Sequence, residues 1–553
     1  MNMKIANIFL SAIMLTAGFT CGAKSTGSYT NPIIHADYSD PDAIATPDGS
    51  AFYMTASSFQ CAPGLPILKS HNLVDWEIVN YALPAVPPEE FYGAGIPRHG
   101  KGVWAPSIRY HNGEYYIFWG DPDFGIFMIK TDNPEGEWSS PVLVKSGKGL
   151  IDPTPLWDDD GRAYLVNGWA GSRSGFNSVL TISEMLPDAT ALITEPRIVF
   201  DGNDGTNHTV EGPKLYKKDG YYYILAPAGG VVDGFQLAMR SKDIYGPYES
   251  KTVMARGNTD INGPHQGAWV TDSAGDDWFL HFQDKGAYGR VLHLNPMEWK
   301  EGWPVIGEDK DGDGCGQPVK SYRMPATSAA ASAQLSTSAG KPGNSGDIAN
   351  LISREFSWHS NYSNFFGFDI PSGLKRIYSH KLSDNFVNFW EVPNLWLMKF
   401  PEEEFTFTTE ITATTRQNLD GISSGVIIMG WDYCRLGLTG KNGEFVLQLA
   451  ECYDAENGGK ESIHDIATIS PERIYNSGLV PNIERSLVIK VEVKKNAECS
   501  FSYSLDGKKF EKIPYTFKAR QGKWIGAKIG YYSTMPSELS DRGWIDVKSA
   551  VMK

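Results

Sequence analysis

The chain has 553 residues, 21% of them charged, with a formal net charge of −15 and a pI near 5.3. That length exceeds one ordinary hydrophobic core, so two or more domains are expected. The acidic balance argues against a nucleic-acid or anionic-membrane partner.

The first 23 residues read as an export signal. Lys4 supplies the positive charge, and Ile5 to Phe19 is an apolar run too short for a membrane span. Cys21-Gly22 offers a lipidation site, although Thr20 ahead of it is larger than the small residue usual there; ordinary cleavage near Ala23 is the other reading. Either way the protein is expected to be exported, to the periplasm or the outer cell surface, and its one expected tie to a membrane is a lipid at Cys21. The remaining cysteines, Cys61, Cys315, Cys434, Cys452 and Cys499, contain no CxxC and indicate neither a zinc site nor a disulfide framework; Cys434–Cys452 is the one pairing worth considering.

Next comes Asn31-Pro32-Ile33-Ile34, followed by three acids in six residues, Asp37, Asp40 and Asp42. A pattern then recurs, a polar Gly-containing turn before an aromatic-rich strand: Asp48-Gly49 before Phe52-Tyr53, Asn112-Gly113 before Tyr115-Tyr116, Asp160-Gly161 before Tyr164-Leu165, Asp219-Gly220 before Tyr221-Tyr222-Tyr223, and Gly275-Asp276 before Trp278-Phe279. Asp-Gly or Asn-Gly between two such runs is a strong hairpin signal. The copies lie roughly 50–60 residues apart, the length of a four-stranded propeller blade. A second mark, Leu73-Val74-Asp75-Trp76, Glu135-Gly136-Glu137-Trp138 and Tyr245-Gly246-Pro247-Tyr248, suits an outer strand. Five units predict an all-β chain beginning with a five-bladed β-propeller over residues 29–325.

Residues 326–349 turn to small, polar, turn-forming types and read as a linker. Alternating strands resume at Glu404–Ile411, Gly425–Met429, Phe445–Leu449 and Leu487–Val493, and Asp506-Gly507 repeats the hairpin device. A β-sandwich of the concanavalin-like jelly-roll kind is predicted over 350–553.

Three carboxylates each precede a blade hairpin: Asp40 in Ser39-Asp40-Pro41-Asp42, Asp152 in Ile151-Asp152-Pro153, and Glu211 in Val210-Glu211-Gly212-Pro213. The innermost strands of a propeller converge on one axial mouth, so these acids can meet. Three acids in one cleft suit glycoside hydrolysis, which needs a protonated acid on the leaving oxygen and an ionised base on a water. A third carboxylate can hold the acid's pKa up by like-charge proximity. Taken singly, each acid also fits a turn-capping role.

These motifs, with Gly102-Val103-Trp104-Ala105-Pro106, Gly263-Pro264-His265-Gln266-Gly267 and Gly289-Arg290-Val291 ahead of Gly302-Trp303-Pro304, make residues 31 to 324 resemble glycoside hydrolase family 43, in its β-xylosidase and α-L-arabinofuranosidase branch. No single tetrapeptide is specific; the ordered set is. The resemblance implies that Asp40 is the general base, Glu211 the general acid and Asp152 the pKa modulator that orients the acid. It implies that Arg290 binds sugar hydroxyls, the alternative being a strand-edge surface arginine. Trp104 would form an aromatic wall of the sugar pocket, the alternative being a buried propeller tryptophan. His265 would stand beside the axis, where many members hold Ca2+ through waters; the alternative is a core histidine with satisfied hydrogen bonds. Asp309-Lys310-Asp311-Gly312-Asp313-Gly314 fails as an EF-hand, because its twelfth position is Lys320, and reads as a polar turn.

In some xylosidase-like members a sandwich loop closes the pocket. Here Ile529–Pro536 and Trp544-Ile545-Asp546-Val547 depart from the pattern of those relatives, which leaves such a contribution open, with carbohydrate binding through Trp358, Trp390 and Trp396 as the alternative. The resulting expectation is an exported, inverting, exo-acting glycosidase that releases terminal β-D-xylose or α-L-arabinofuranose, or both, from xylan-type plant polysaccharide or oligosaccharide. The alternatives are an endo-acting arabinanase and a non-catalytic glycan-binding surface propeller.

Overall fold

Each of the five Gly-containing turns joins the innermost strand of a blade to its second strand. At Asn112-Gly113 (φ 48° and 90°) and Asp219-Gly220 (50° and 76°), both turn residues take the left-handed backbone that a two-residue hairpin needs. The computed structural model describes residues 27–327, 354–370, 374–476 and 478–553. The expected export segment, Cys21 and nearly all of the expected linker lie outside the described residues.

Five four-stranded antiparallel sheets follow one another along the chain, each with its strands in sequential order. Their innermost strands are Asp42–Ala45, Trp104–His111, Leu150–Trp157, Lys214–Lys218 and His265–Thr271, for blades I to V. Five apolar cores fill the spaces between neighbouring blades, including the space between V and I. This explains the unbroken aromatic and aliphatic strands. In Glu114–Asp121, Ile117 and Trp119 enter the core shared with blade I, while Tyr116 and Phe118 enter the one shared with blade III. A sheet buried on both faces loses the polar alternation of a half-exposed one.

The N-terminal segment closes the ring: Ile33 and Ile34 exchange backbone hydrogen bonds with Leu292, in the third strand of blade V. Ser28–Thr30 pairs with Ser321–Arg323, and Asn31 clasps blade V, its Nδ2 donating to Leu294 O and Val319 O and its Oδ1 accepting from Leu294 N.

The C-terminal region is a concanavalin-like β-sandwich. One sheet is centred on Lys528–Met535 and Ser423–Met429, the other on Trp544–Met552, Phe405–Arg416 and Pro481–Lys494. Their facing residues, among them Phe407, Ile411, Leu436, Leu447, Ile489 and Ile529, form one core. Trp358 and Trp396 belong to that core, and Trp390 stacks on His99 of the propeller at 3.7 Å. The three tryptophans considered as a sugar platform are therefore committed to packing. All five described cysteines are free, Cys434 and Cys452 included.

The two domains meet through hydrogen bonds and apolar packing, Tyr288 and Val291 of the propeller joining the sandwich core. Ala62 and Trp358 exchange both backbone bonds, the Asn361 side-chain amide accepts from Val86 N and donates to Val86 O, and the Lys528 amine reaches Cys61 Sγ at 3.0 Å.

Candidate active site

Every innermost strand enters the axial channel through one residue with left-handed backbone: Asp40 (φ 56°), Ala105 (35°), Asp152 (56°), Gly212 (59°) and Gln266 (34°). Proline follows in four blades and Gly267 in the fifth. A residue before proline is disfavoured in the right-handed helical region, and the left-handed one is strained for any side chain but tolerated best by Asp and Asn. The five strands thus kink alike at the mouth. Asp40 and Asp152 occupy this position in blades I and III. Glu211 stands one residue earlier in blade IV, as Trp104 does in blade II and His265 in blade V, and carries a longer side chain. The fold brings all six residues singled out in the sequence to the channel mouth: Trp104, Glu211 and His265 at one level, Asp40 and Asp152 at the next, and Arg290 at the start of the third strand of blade V.

Their surroundings separate the carboxylates. Asp40 is nearly buried; its Oδ2 accepts from Ser57 Oγ at 2.6 Å, and Arg290 Nη1 lies 3.9 Å from its Oδ1. Burial raises its pKa, while the charge of Arg290, the Ser57 hydroxyl and the charge of Lys214 favour its anion. Asp152 is buried, accepts the Gly212 N–H at 2.7 Å, and is likewise raised by burial and by the charge of Asp40. The Glu211 side chain keeps 35% of its surface open toward the mouth. Desolvation, then the charges of Asp152 and Asp40, push its carboxyl up to about 8, against Arg290 alone. Its Oε1 lies 3.5 Å from His265 Nε2. Of the three, Asp40 has the most support for its anion and Glu211 the least.

Arg290 is fixed at both ends. Its N–H donates to Asp37 Oδ1, and its guanidinium lies over Phe282 and contacts Ser39 Oγ at 3.2 Å. Trp104 is half-buried, its indole N–H donating to Gly100 O. His265 is fully buried with neither ring nitrogen hydrogen-bonded, so it is not a satisfied core histidine; burial and the charge of Arg290 keep it neutral, with its pKa lowered to about 3.

The sandwich also reaches the mouth, by a segment other than the closing one considered from the sequence. Gly526 N–H donates to Asp37 Oδ2, and Ala527 N–H to Ala287 O. The loop so tethered carries Trp524, itself left-handed (φ 62°) and 47% exposed. The Trp524 ring meets Trp104 edge-on at 6.2 Å, and the Arg290 guanidinium lies 5.8 Å from it. A cavity of about 320 Å³ opens beside it, lined by Arg290, Asp284, Gln521, Trp524 and Trp431. Trp524 had no mark in the sequence beyond an aromatic after Gly522, and Gln266 stood in the motif Gly263–Gly267 only as the neighbour of His265.

The description "Glycosyl hydrolases family 43" matches residues 29–304, and "Beta xylosidase C-terminal Concanavalin A-like domain" matches 352–553. A Xylanibacter ruminicola protein bearing a β-xylosidase name is 30% identical over 530 residues, covering 93% of this chain and 88% of its own. The chain belongs to glycosyl hydrolase family 43. The family 43 enzyme is also 30% identical, over 308 residues, to a non-reducing end α-L-arabinofuranosidase of Bacteroides ovatus, covering 51% of this chain and 54% of that one. A solved xylan β-1,4-xylosidase from Bacillus halodurans superposes with a TM-score of 0.76 at 20% identity, covering 95% of this chain and 99% of that one, and so shares the two-domain fold. As a member of the family the protein is a glycosidase acting on xylan-type carbohydrate.

Among the described residues, the one acidic cluster with metal-ligand spacing is Asp309, Asp311 and Asp313, whose ligand atoms lie within 4.8 Å of one another. It sits on an exposed turn, where Asp309 already accepts from Gly312 N and Lys300 Nζ.

Proposed function

We propose that the enzyme removes terminal β-D-xylose, α-L-arabinofuranose or both from the non-reducing ends of xylan-type chains, with inversion. Asp40, whose anion is best supported, takes a proton from the attacking water. Glu211, which holds its proton at neutral pH, gives it to the leaving oxygen. Asp152 keeps Glu211 protonated by its charge and steadies it through Gly212. Arg290 and Trp104 contact the terminal sugar, and Trp524 caps the mouth so that a chain end enters and a chain middle does not. The unequal surroundings of Asp40 and Glu211 carry this reading, since one site must offer a base and an acid at the same pH. A glycan-binding propeller has no use for a carboxyl with a raised pKa.

No step passes through calcium. A Ca2+ held through waters would meet His265, a neutral ring with both nitrogens unpaired, while the Lys214 ammonium reaches across the channel to Pro106 and Asp42 of two other blades. Export to the periplasm or outer surface, with or without a lipid at Cys21, belongs to the same proposal and rests on the N-terminal sequence.

Protein lacking residues 1–23 assayed side by side on aryl β-D-xylopyranoside and aryl α-L-arabinofuranoside, with Asp40→Asn as control, tests the reading. Release that vanishes in the variant supports it, and the rate ratio names the sugar. Release that persists in the variant, or none from either substrate, overturns it.

A further inference from the structure

Two residues beyond the left-handed entry positions, the innermost strands place Asp42, Ser107, Thr154, Lys214 and Ala268, all buried. This ring is the floor under the carboxylates. Ser107 Oγ donates to Pro153 O at 2.6 Å and Thr154 Oγ1 to Pro213 O at 2.8 Å, so each hydroxyl fixes the peptide next to an entry position of the following blade. Lys214 is the cation of the ring. Its side chain is 1% exposed, and its Nζ donates to Pro106 O at 2.9 Å and lies 3.9 Å from Asp42 Oδ2. It therefore spans from blade IV to blades I and II. Asp42 does not neutralise it one for one, because the same Oδ2 accepts from Ile108 N at 2.8 Å and Arg109 Nη1 at 2.6 Å. A buried ammonium is costly, and an apolar side chain would fill the floor at less cost.

We propose that Lys214 is a positioning residue, a fixed positive charge on the channel floor that favours the anion of Asp40 over that of Glu211. The proposal rests on reading Asp40 as the base. Burial lowers the pKa of Lys214 and Arg109 opposes its charge, while Asp42, Asp152 and Asp40 favour its ammonium; the charged groups acting on Asp40 are Arg290, Lys214 and Asp37, with the Ser57 hydroxyl; Glu211 feels Asp152, Asp40 and Arg290. Lys214 thus acts directly on the base and the modulator, and on the acid only through Asp152. A single charge with this selectivity widens the interval between the base's ionisation and the acid's, which is the pH range in which both are in working form.

The test is kcat/KM against pH for the full-length enzyme, Lys214→Gln and Lys214→Met, on whichever aryl glycoside the parent cleaves. Gln keeps an N–H for Pro106 O and removes the charge; Met removes both. With Lys214 acting by charge, both variants shift the acid limb upward by about one pH unit and lose about tenfold in rate on that limb, move the alkaline limb less and only downward, because Asp152 loses part of the charge that opposes Glu211, and stay within about threefold on the plateau. An unmoved acid limb in Lys214→Gln, or a uniform loss across pH in Lys214→Met that Gln restores, overturns the proposal in favour of a prop for Pro106. Asp40→Asn run alongside separates the two readings: if it keeps its turnover the base assignment has failed, and if it is dead while Lys214→Gln is unshifted only this inference has.

Discussion

Gly212 donates its backbone N–H to Asp152 Oδ2 at 2.7 Å, tying the carboxylate of blade III to the residue that follows Glu211 in blade IV. One carboxylate therefore acts on the acid twice, by holding its backbone and by opposing its ionisation. Asp152→Asn separates the two effects, because the amide oxygen can still accept from Gly212 while the charge is gone. Loss of that charge lowers the pKa of Glu211, so the alkaline limb of kcat/KM should move to lower pH. Asp152→Ala should show the same shift and a further loss of about tenfold or more on the plateau from a mispositioned acid. Matching pH profiles for parent and Asp152→Asn would remove Asp152 from the electrostatics of the site.

Asp40 and Glu211 should differ in how their loss depends on the leaving group. Asp40→Asn removes the proton acceptor for water and should cut turnover by about two to four orders of magnitude on every substrate. Glu211→Gln removes the proton for the leaving oxygen, which a nitrophenolate scarcely needs and a sugar alkoxide does. Its loss should be about tenfold or less on the nitrophenyl glycoside and about a thousandfold on a disaccharide, measured by sugar release. Equal losses on both would reverse the assignment of acid and base.

An inverting reaction has a separate signature. Proton NMR taken within the first minutes of β-xyloside cleavage should show α-xylose first, with the β-anomer appearing only as mutarotation proceeds. Initial β-xylose would mean that one carboxylate attacks the sugar instead of activating water.

The propeller was legible in the sequence because its signals are local. A Gly-containing turn followed by an aromatic strand marks a blade wherever the blade lies, and acids placed directly before proline or Gly-Pro mark the channel mouth. Whether the sandwich reaches the site was left open by the sequence, and the segment by which it does so was not legible. Gly526 contacts Asp37 across 489 positions of the chain, and no local pattern encodes a contact of that range. For the same reason Trp358 and Trp396 passed for a sugar platform: whether an aromatic is exposed depends on the sheet packed against it, here the facing half of the sandwich. Trp524, with no neighbouring motif, is the one that reaches the mouth.

Trp524→Ala tests that placement. The residue is half-exposed, so its removal should leave the melting temperature within about a degree. It should raise KM for a disaccharide about tenfold by removing an aromatic contact beside Trp104 and Arg290, with a smaller effect on a monosaccharide aryl glycoside. A matched drop in melting temperature and in turnover on both substrates would mean that Trp524 holds the domains together and does not meet substrate.

The arrangement that makes Glu211 an acid should also make the protein less stable as pH rises. Its folded-state pKa is raised from an ordinary 4.5 to about 8, chiefly by desolvation. Between those values the folded protein keeps a proton that the unfolded chain has released, so the contribution of Glu211 to stability is fullest below pH 4.5 and is lost as pH climbs toward 8. Gln resembles the protonated side chain and never ionises, and it also relieves Asp152 of a neighbouring charge. Glu211→Gln should therefore melt close to the parent at pH 4.5 and a few degrees above it at pH 8, the gap widening steadily between, as expected where a catalytic group is held in a form its surroundings disfavour. Calorimetry at a fixed scan rate across that range decides the matter. A gap that is constant with pH would locate the effect in packing, and a variant melting below the parent at pH 8 would show that the ionised carboxylate finds a partner in the folded site.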